Sequence, residues 1–214
     1  MLLRAVVLIV CATGCPTLPA ASELGEPQLL ALVADPPCLG PGASSRLATL
    51  VAGPSGTLVP TRVAWSVPAG SPGALEGSSV RAAADAIPGA QLEVDVALDA
   101  DDVTLHGFRT LTIGDCSNPV LAGLTVDGAP APGTGALAVL PGSKVALDVS
   151  VDARPDAHPT VSWFTTAGTI RLYRHTPTEL VVRAAPGTGA LYVVYRDGNG
   201  GVAWLERAVQ VTSR

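Results

Sequence analysis

Three histidines, His106, His158 and His175, are spread through 214 residues, and no two stand at a spacing that would place both on one metal ion. Gly53-Pro-Ser-Gly56 lacks the Gly-x-Ser-x-Gly frame that presents a serine nucleophile on a strand-to-helix elbow. Asp99-Ala-Asp-Asp102 offers carboxylate oxygens of the kind Ca²⁺ takes, and it equally has the composition of a tight polar turn. Asp197-Gly-Asn199 begins like a calcium loop, but Ala208 stands where an EF-hand needs its bidentate glutamate. Arg171-Leu-Tyr-Arg174-His175 is a small basic cluster, open to simple solvation or to facing the acidic domain or an anionic polymer. No glycine loop leads into a helix to cradle phosphate. The residues therefore predict no catalytic group, no metal ligand set and no cofactor, and the chain is expected not to be an enzyme.

Cysteine carries the remaining chemistry, at positions 11, 15, 38 and 116. Around the first two, Arg4 supplies a short positive region, Ala5 to Val10 an apolar one, and small residues run up to Gly14 and Cys15. That three-part order is a secretory signal peptide. The apolar run is about ten residues where a spanning helix needs ~20, so a permanent transmembrane anchor is not expected. Ala12-Thr13-Gly14-Cys15 resembles the lipobox of bacterial lipoproteins, with Ala at position 12 where the motif usually has a larger aliphatic residue. The resemblance implies cleavage before Cys15, lipid on its thiol, and attachment to a membrane through that lipid. An ordinary cleaved signal peptide is the alternative, although Pro19 spoils the small-residue site near Ala20 and Ala21. Pro16 stands where an Asp would favour inner-membrane retention in many Gram-negative bacteria. By the same resemblance, the expected location is the cell envelope, at the outer membrane.

With Cys11 in the leader and Cys15 carrying lipid, Cys38 and Cys116 remain. In an oxidising compartment they are expected to pair, the alternative being two separate buried thiols. The net charge of −5 is uneven: residues 15–118 hold eleven acidic and four basic side chains, and residues 119–214 hold seven and eight. Neither half is basic enough to track a nucleic-acid backbone. The acidic half gives no electrostatic help at an anionic bilayer, so attachment would rest on the lipid.

The elements that must position these residues are strands. Only 4% of residues are aromatic, while 23 Gly and 19 Pro punctuate short Val/Leu/Ala/Thr runs, the pattern of an all-β chain. Residues 15–27, polar and without periodicity, read as a flexible tether. Strands are expected over 28–34, 45–51, 62–67, 79–84, 91–98 and 103–113. A second series covers 120–126, 136–140, 144–151, 160–166, 169–173, 179–184, 190–196 and 202–211. Leu92, Val94, Val96 and Leu98 alternate with Glu93 and Asp95, one face buried and one wet. Shifted by 98 residues, the chain matches itself at Ser45/Ser143, Val51/Val149, Trp65/Trp163, Asp99/Asp197 and Arg109/Arg207. The domains are then 1–14 as signal peptide, 15–27 as tether, 28–117 as first domain and 118–214 as second.

Short strands with a Trp in the third resemble bacterial immunoglobulin-like β-sandwiches, two in tandem. Neither copy has the antibody cysteine pair on its second and sixth strands. In such sandwiches part of the first strand runs parallel beside the last, which would bring Cys38 and Cys116 together at the exit of the first domain. Trp65 and Trp163 are expected as core plugs. Trp204 falls on the face opposite Ala203, Leu205, Val209 and Val211, and with Tyr195 it is the candidate aromatic binding surface. Strand 190–196 is apolar on both faces, with Leu191, Val193 and Tyr195 opposite Tyr192 and Val194, so its outer face should be partly covered. Arg109 and Arg207 fall on the expected inner face without a reason legible in the sequence. The expected role is a non-catalytic envelope lipoprotein, an interaction or spacer module for an envelope protein or polysaccharide. The alternative is a carbohydrate- or polymer-binding module centred on Trp204.

Overall fold

The computed structural model describes residues 20–133, 135–152 and 158–213. The leader and Cys15 lie outside the described residues. Four sheets account for the strands, two drawn wholly from 28–113 and two wholly from 120–211.

In the first sandwich one sheet orders β1 (Gln28–Asp35), β3 (Ser44–Gly53), β7 (Ser79–Ala82) and β6 (Gly73–Glu76), with β4 (Gly56–Leu58) turned back onto β3. The facing sheet orders β2 (Cys38–Leu39), β9 (Val103–Ile113), β8 (Gln91–Ala100) and β5 (Arg62–Ser66). The chain changes sheets at Pro36-Pro37, where neither residue has an N–H to continue the β1 ladder. Beyond it, β2 pairs parallel with β9, Cys38 opposite Thr112 and Leu39 opposite Ile113.

The second sandwich repeats the plan. One sheet orders β11 (Ala129–Pro130), β10 (Val120–Val126), β13 (Lys144–Asp152), β16 (Thr178–Val182) and β15 (Gly168–Ile170). The other orders β12 (Leu137–Val139), β18 (Val202–Val211), β17 (Gly187–Arg196) and β14 (Thr160–Thr165). β12 lies parallel to the last strand, as β2 does in the first copy. A first strand split between the sheets, with its second part parallel to the last strand, is the immunoglobulin-like arrangement. The chain is two such sandwiches in tandem.

Alternation fills both interiors. Leu92, Val94, Val96 and Leu98 are each at most 2% exposed. Trp163 is fully buried among Val161, Leu180, Val193 and Val209, and its indole N–H donates to the His175 carbonyl at 2.9 Å. Trp65 differs from the sequence expectation. It is only partly buried, because β5 is a short edge strand whose other residues are exposed, and it bridges the two apolar clusters of the first sandwich.

The expected tether is also corrected over its described part. Ser22 and Leu24 are buried against the second sandwich. Leu24 N–H donates to the Thr165 carbonyl at 3.1 Å, and Thr165 N–H donates to the Ser22 carbonyl at 2.9 Å. Ser22 Oγ accepts the Ile170 N–H at 2.9 Å. Residues 22–24 thus extend the open edge of β14, where unpaired backbone groups outweigh the entropy of an otherwise free segment.

Candidate functional site

The two sandwiches meet along an apolar seam on the outer face of β17, beside Trp204. On β17, Leu191, Val193 and Tyr195 point into the second core, while Ala190, Tyr192 and Val194 point out. The outward set is covered by Leu30, Ala31, Leu50 and Ala52 of the first sandwich and by Leu24. Both faces of β17 are therefore dry, which is why its sequence does not alternate. Tyr195 is corrected accordingly: at 5% exposure, opposite Val161, it is a core residue and not part of a binding surface.

Polar contacts frame the seam. Thr57 Oγ donates to Glu206 Oε1 at 2.6 Å, which uses its one proton, so the Tyr192 hydroxyl donates to Thr57 Oγ across 3.0 Å. Burial, with the Glu206 carboxylate adding to it, raises the Tyr192 pKa against the opposing effect of the Thr57 contact. At the crossing between the sandwiches, Asn118 donates through Nδ2 to the Ala34 carbonyl at 2.8 Å and accepts the Val202 N–H through Oδ1 at 2.9 Å. One carboxamide thereby ties β1 to β18.

Arg109 now has a physical reason. As the outer strand of its sheet, β1 turns alternate carbonyls away from β3, and these need donors. Arg109 donates through one Nη to the Leu32 carbonyl at 2.6 Å and through the other to Gly200. Arg196, on the second sandwich, donates to the Leu30 carbonyl at 2.8 Å. Gly107 permits this closure, since a Cβ there would sit 2.6 Å from Leu29 Cδ2. Burial lowers the Arg109 pKa to about 10, Asp197 partly opposing and Arg196 adding to the shift, so the group is charged at neutral pH.

The disulfide joins Cys38 to Cys116 with their Cα atoms 5.3 Å apart. It faces the turn of the second sandwich at Gly198–Gly200 across a cleft. That turn is built on Asp197, whose Oδ1 accepts the N–H groups of Asn199 at 2.8 Å and Gly201 at 2.7 Å. The calcium-like start of this segment is thus a self-capped turn. Asp101 and Asp102 likewise occupy a two-residue hairpin turn with φ of 46° and 62°, while Asp99 accepts a hydrogen bond from Thr104 at 2.7 Å. Among the described residues no three His, Cys, Asp or Glu side chains converge as a metal would require. Of the basic cluster, Arg171 pairs with Glu179 at 3.3 Å and Arg174 lies over the Tyr173 ring.

Trp204 stands where its alternation places it, on the outer face of β18 with Glu206, and is 36% exposed. It lies opposite Val194, beside the seam and not beneath it. Among large apolar side chains, Phe108 on the outer face of β9 is 69% exposed.

No protein-family model and no curated protein matches the sequence. Among solved structures, the chain is similar to the fibronectin(III)-like modules of Clostridium thermocellum CbhA, at 12% identity over 86% of this chain and 95% of that one, with a TM-score of 0.34. It is similar to the N-terminal Ig1-2 module of the Drosophila receptor protein tyrosine phosphatase DLAR, at 12% identity over 88% and 98%, TM-score 0.35. Sidekick-1 immunoglobulin domains 1–5 match at 12% identity over 89% of this chain and 40% of that chain, TM-score 0.28.

Proposed function

We propose that the chain is a non-catalytic, lipid-anchored envelope protein whose two sandwiches work as one rigid interaction or spacer module. The observation that carries this reading is the apolar seam. A spacer needs its ends held at a fixed separation, and Tyr192, Val194, Leu30 and Leu50, all at most 4% exposed, provide that across the junction. The histidines support a non-catalytic role by their separation, His106 on β9, His158 ahead of β14 and His175 in the turn after β15. The anchor is supported by Ala12-Thr13-Gly14-Cys15 and by cysteine accounting, because Cys38 and Cys116 are already joined to each other.

Docking of residues 22–24 shortens the reach from such an anchor. Only residues 16–21 remain between Cys15 and the sandwich, about 20 Å when fully extended. The body would then lie against the bilayer with its second sandwich near the surface. No helix among the described residues is long and apolar enough to cross a membrane. Metabolic labelling with a palmitate analogue should mark the wild type and fail on Cys15→Ala. Equal labelling of both would remove the anchor.

A second reading, a carbohydrate or polymer platform, is favoured by the outward indole of Trp204, on the same face of β18 as Glu206. Its expected signature is a glycan-dependent change in tryptophan fluorescence that Trp204→Ala abolishes. A response surviving that substitution would move the site elsewhere.

A further inference from the structure

Two guanidiniums share the cleft between the sandwiches, and neither is within salt-bridge distance of a carboxylate among the described residues. The cleft encloses about 420 Å³, bordered by β1, β9 and the turn after β17. Arg109 and Arg196 line it together with His106, and none of its lining residues is an aspartate or a glutamate. This holds in a chain with 18 acidic side chains and a net charge of −5. The salt bridges among the described residues lie elsewhere, Arg81 with Glu76 and Arg171 with Glu179. Asp197 acts on Arg109 through space, yet its Oδ1 is engaged by the turn it caps.

Backbone carbonyls meet only some of the donors. A guanidinium has five N–H groups. Arg109 directs one Nη to Leu32 and the other to Gly200, while its Nε is buried without an acceptor. Arg196 reaches Leu30 through one nitrogen. A carbonyl dipole does not neutralise a part-buried cation, and Asp197 offsets only part of the burial penalty at Arg109, while the two arginines repel each other and Arg174 adds to the repulsion at Arg196. An oxyanion in the cleft would accept from the Arg196 nitrogens that Leu30 does not engage and would bring a full negative charge to both guanidiniums.

We propose that the cleft between the sandwiches binds an oxyanion, a carboxylate or phosphate group, held between Arg109 and Arg196. Carried on a small molecule or on an acidic polymer, the group would use the same contacts. The site is independent of the lipid anchor, and its test leaves Cys15 untouched.

Full-length protein titrated with sodium phosphate, sodium acetate or polyglutamate, each against sodium chloride at matched ionic strength, should gain thermal stability with at least one of the three. The anion that binds should also protect Arg109 and Arg196 from butanedione modification mapped by mass spectrometry. Phosphate alone assigns the site to phosphate esters, acetate to small carboxylates, and polyglutamate alone to an acidic polymer. Arg196→Gln should weaken the apparent affinity about tenfold or more, the loss of a charge-assisted contact. Arg171→Gln, remote from the cleft, should bind as the wild type does. If Arg196→Gln does not fold, protection of the two arginines in the unaltered chain still decides. Stabilisation no greater than chloride gives, unprotected arginines, or full affinity in Arg196→Gln would each overturn the proposal.

Discussion

Replacing Cys38 and Cys116 together by alanine lowers stability by about 4–5 kcal/mol, with the loss centred on the first sandwich. The crosslink spans a sequence separation of 78, and closing a loop of that length removes denatured-state entropy worth that much in the chain-entropy model. Native geometry adds to the effect. β2 is two residues long and holds to β9 through a brief parallel ladder, too little to persist unaided. Leu39, fully buried, is the next residue after Cys38 and would be drawn out with it. Downstream, Cys116 stands two residues before Asn118, whose carboxamide ties Ala34 to Val202. Hydrogen exchange at the Val202 amide should therefore quicken in the double variant. Urea unfolding monitored by tryptophan fluorescence measures the main effect, with the slope rising as the denatured chain expands. A midpoint within experimental error of the wild type would mean that the covalent link adds nothing the strands do not already supply.

Much of the architecture was legible wherever one face of a strand meets water. Leu92 to Leu98 alternates cleanly because Glu93 and Asp95 are on the wet side, and the strand lies where the pattern places it. The 98-residue repeat was legible for the same reason. β5 and β14 carry their Trp at equivalent positions, and β9 and β18 close both copies. The strands without a signal in the sequence, β2, β4, β6 and β11, are two to four residues long, too short for a period to form. The fold's split first strand was anticipated only from the immunoglobulin resemblance, and it places the disulfide.

The site was less legible, because its determinants are far apart in sequence. Tyr192 and Tyr195 are both tyrosines on a strand apolar all along, and only the presence of the first sandwich distinguishes the seam residue from the core residue. Arg109 breaks an apolar face, a signal that was visible. Its cause was not, since the carbonyls it serves belong to Leu32 and Gly200, one in each sandwich. Ser22 and Leu24 sit in a polar stretch without periodicity. Two backbone hydrogen bonds to Thr165, the Ser22 hydroxyl on the Ile170 N–H and one buried leucine hold them, and no pattern of three residues announces that. What local sequence cannot encode is which of two dry faces a distant partner will cover.

Tyr192→Ala should cost about 3–5 kcal/mol and uncouple the sandwiches, because it removes a fully buried aromatic ring from the centre of the seam. The ring contacts both partners of the junction cluster, and its hydroxyl donates to Thr57, itself bound to Glu206. Tyr192→Phe separates these contributions. It keeps the ring and loses only a hydrogen bond, which should cost about 0.5–1.5 kcal/mol. Alanine leaves a cavity that the neighbouring Val194, Leu30 and Ala52 cannot fill without moving the two sheets together, and each sheet is fixed by its own core. The consequence for function follows from geometry. Asn118 and the guanidinium contacts of Arg109 and Arg196 remain in the alanine variant, yet they are polar, partly wet and few, and such contacts alone permit domain motion. Small-angle scattering should then show a larger and more variable span for Tyr192→Ala, and a wild-type profile for Tyr192→Phe. Unfolding should pass from a coupled transition to separated ones in the alanine variant alone. A scattering profile unchanged by Tyr192→Ala would show that rigidity resides in the polar frame and not in the seam, and the case for a rigid spacer would have to be rebuilt on Asn118 and the arginines.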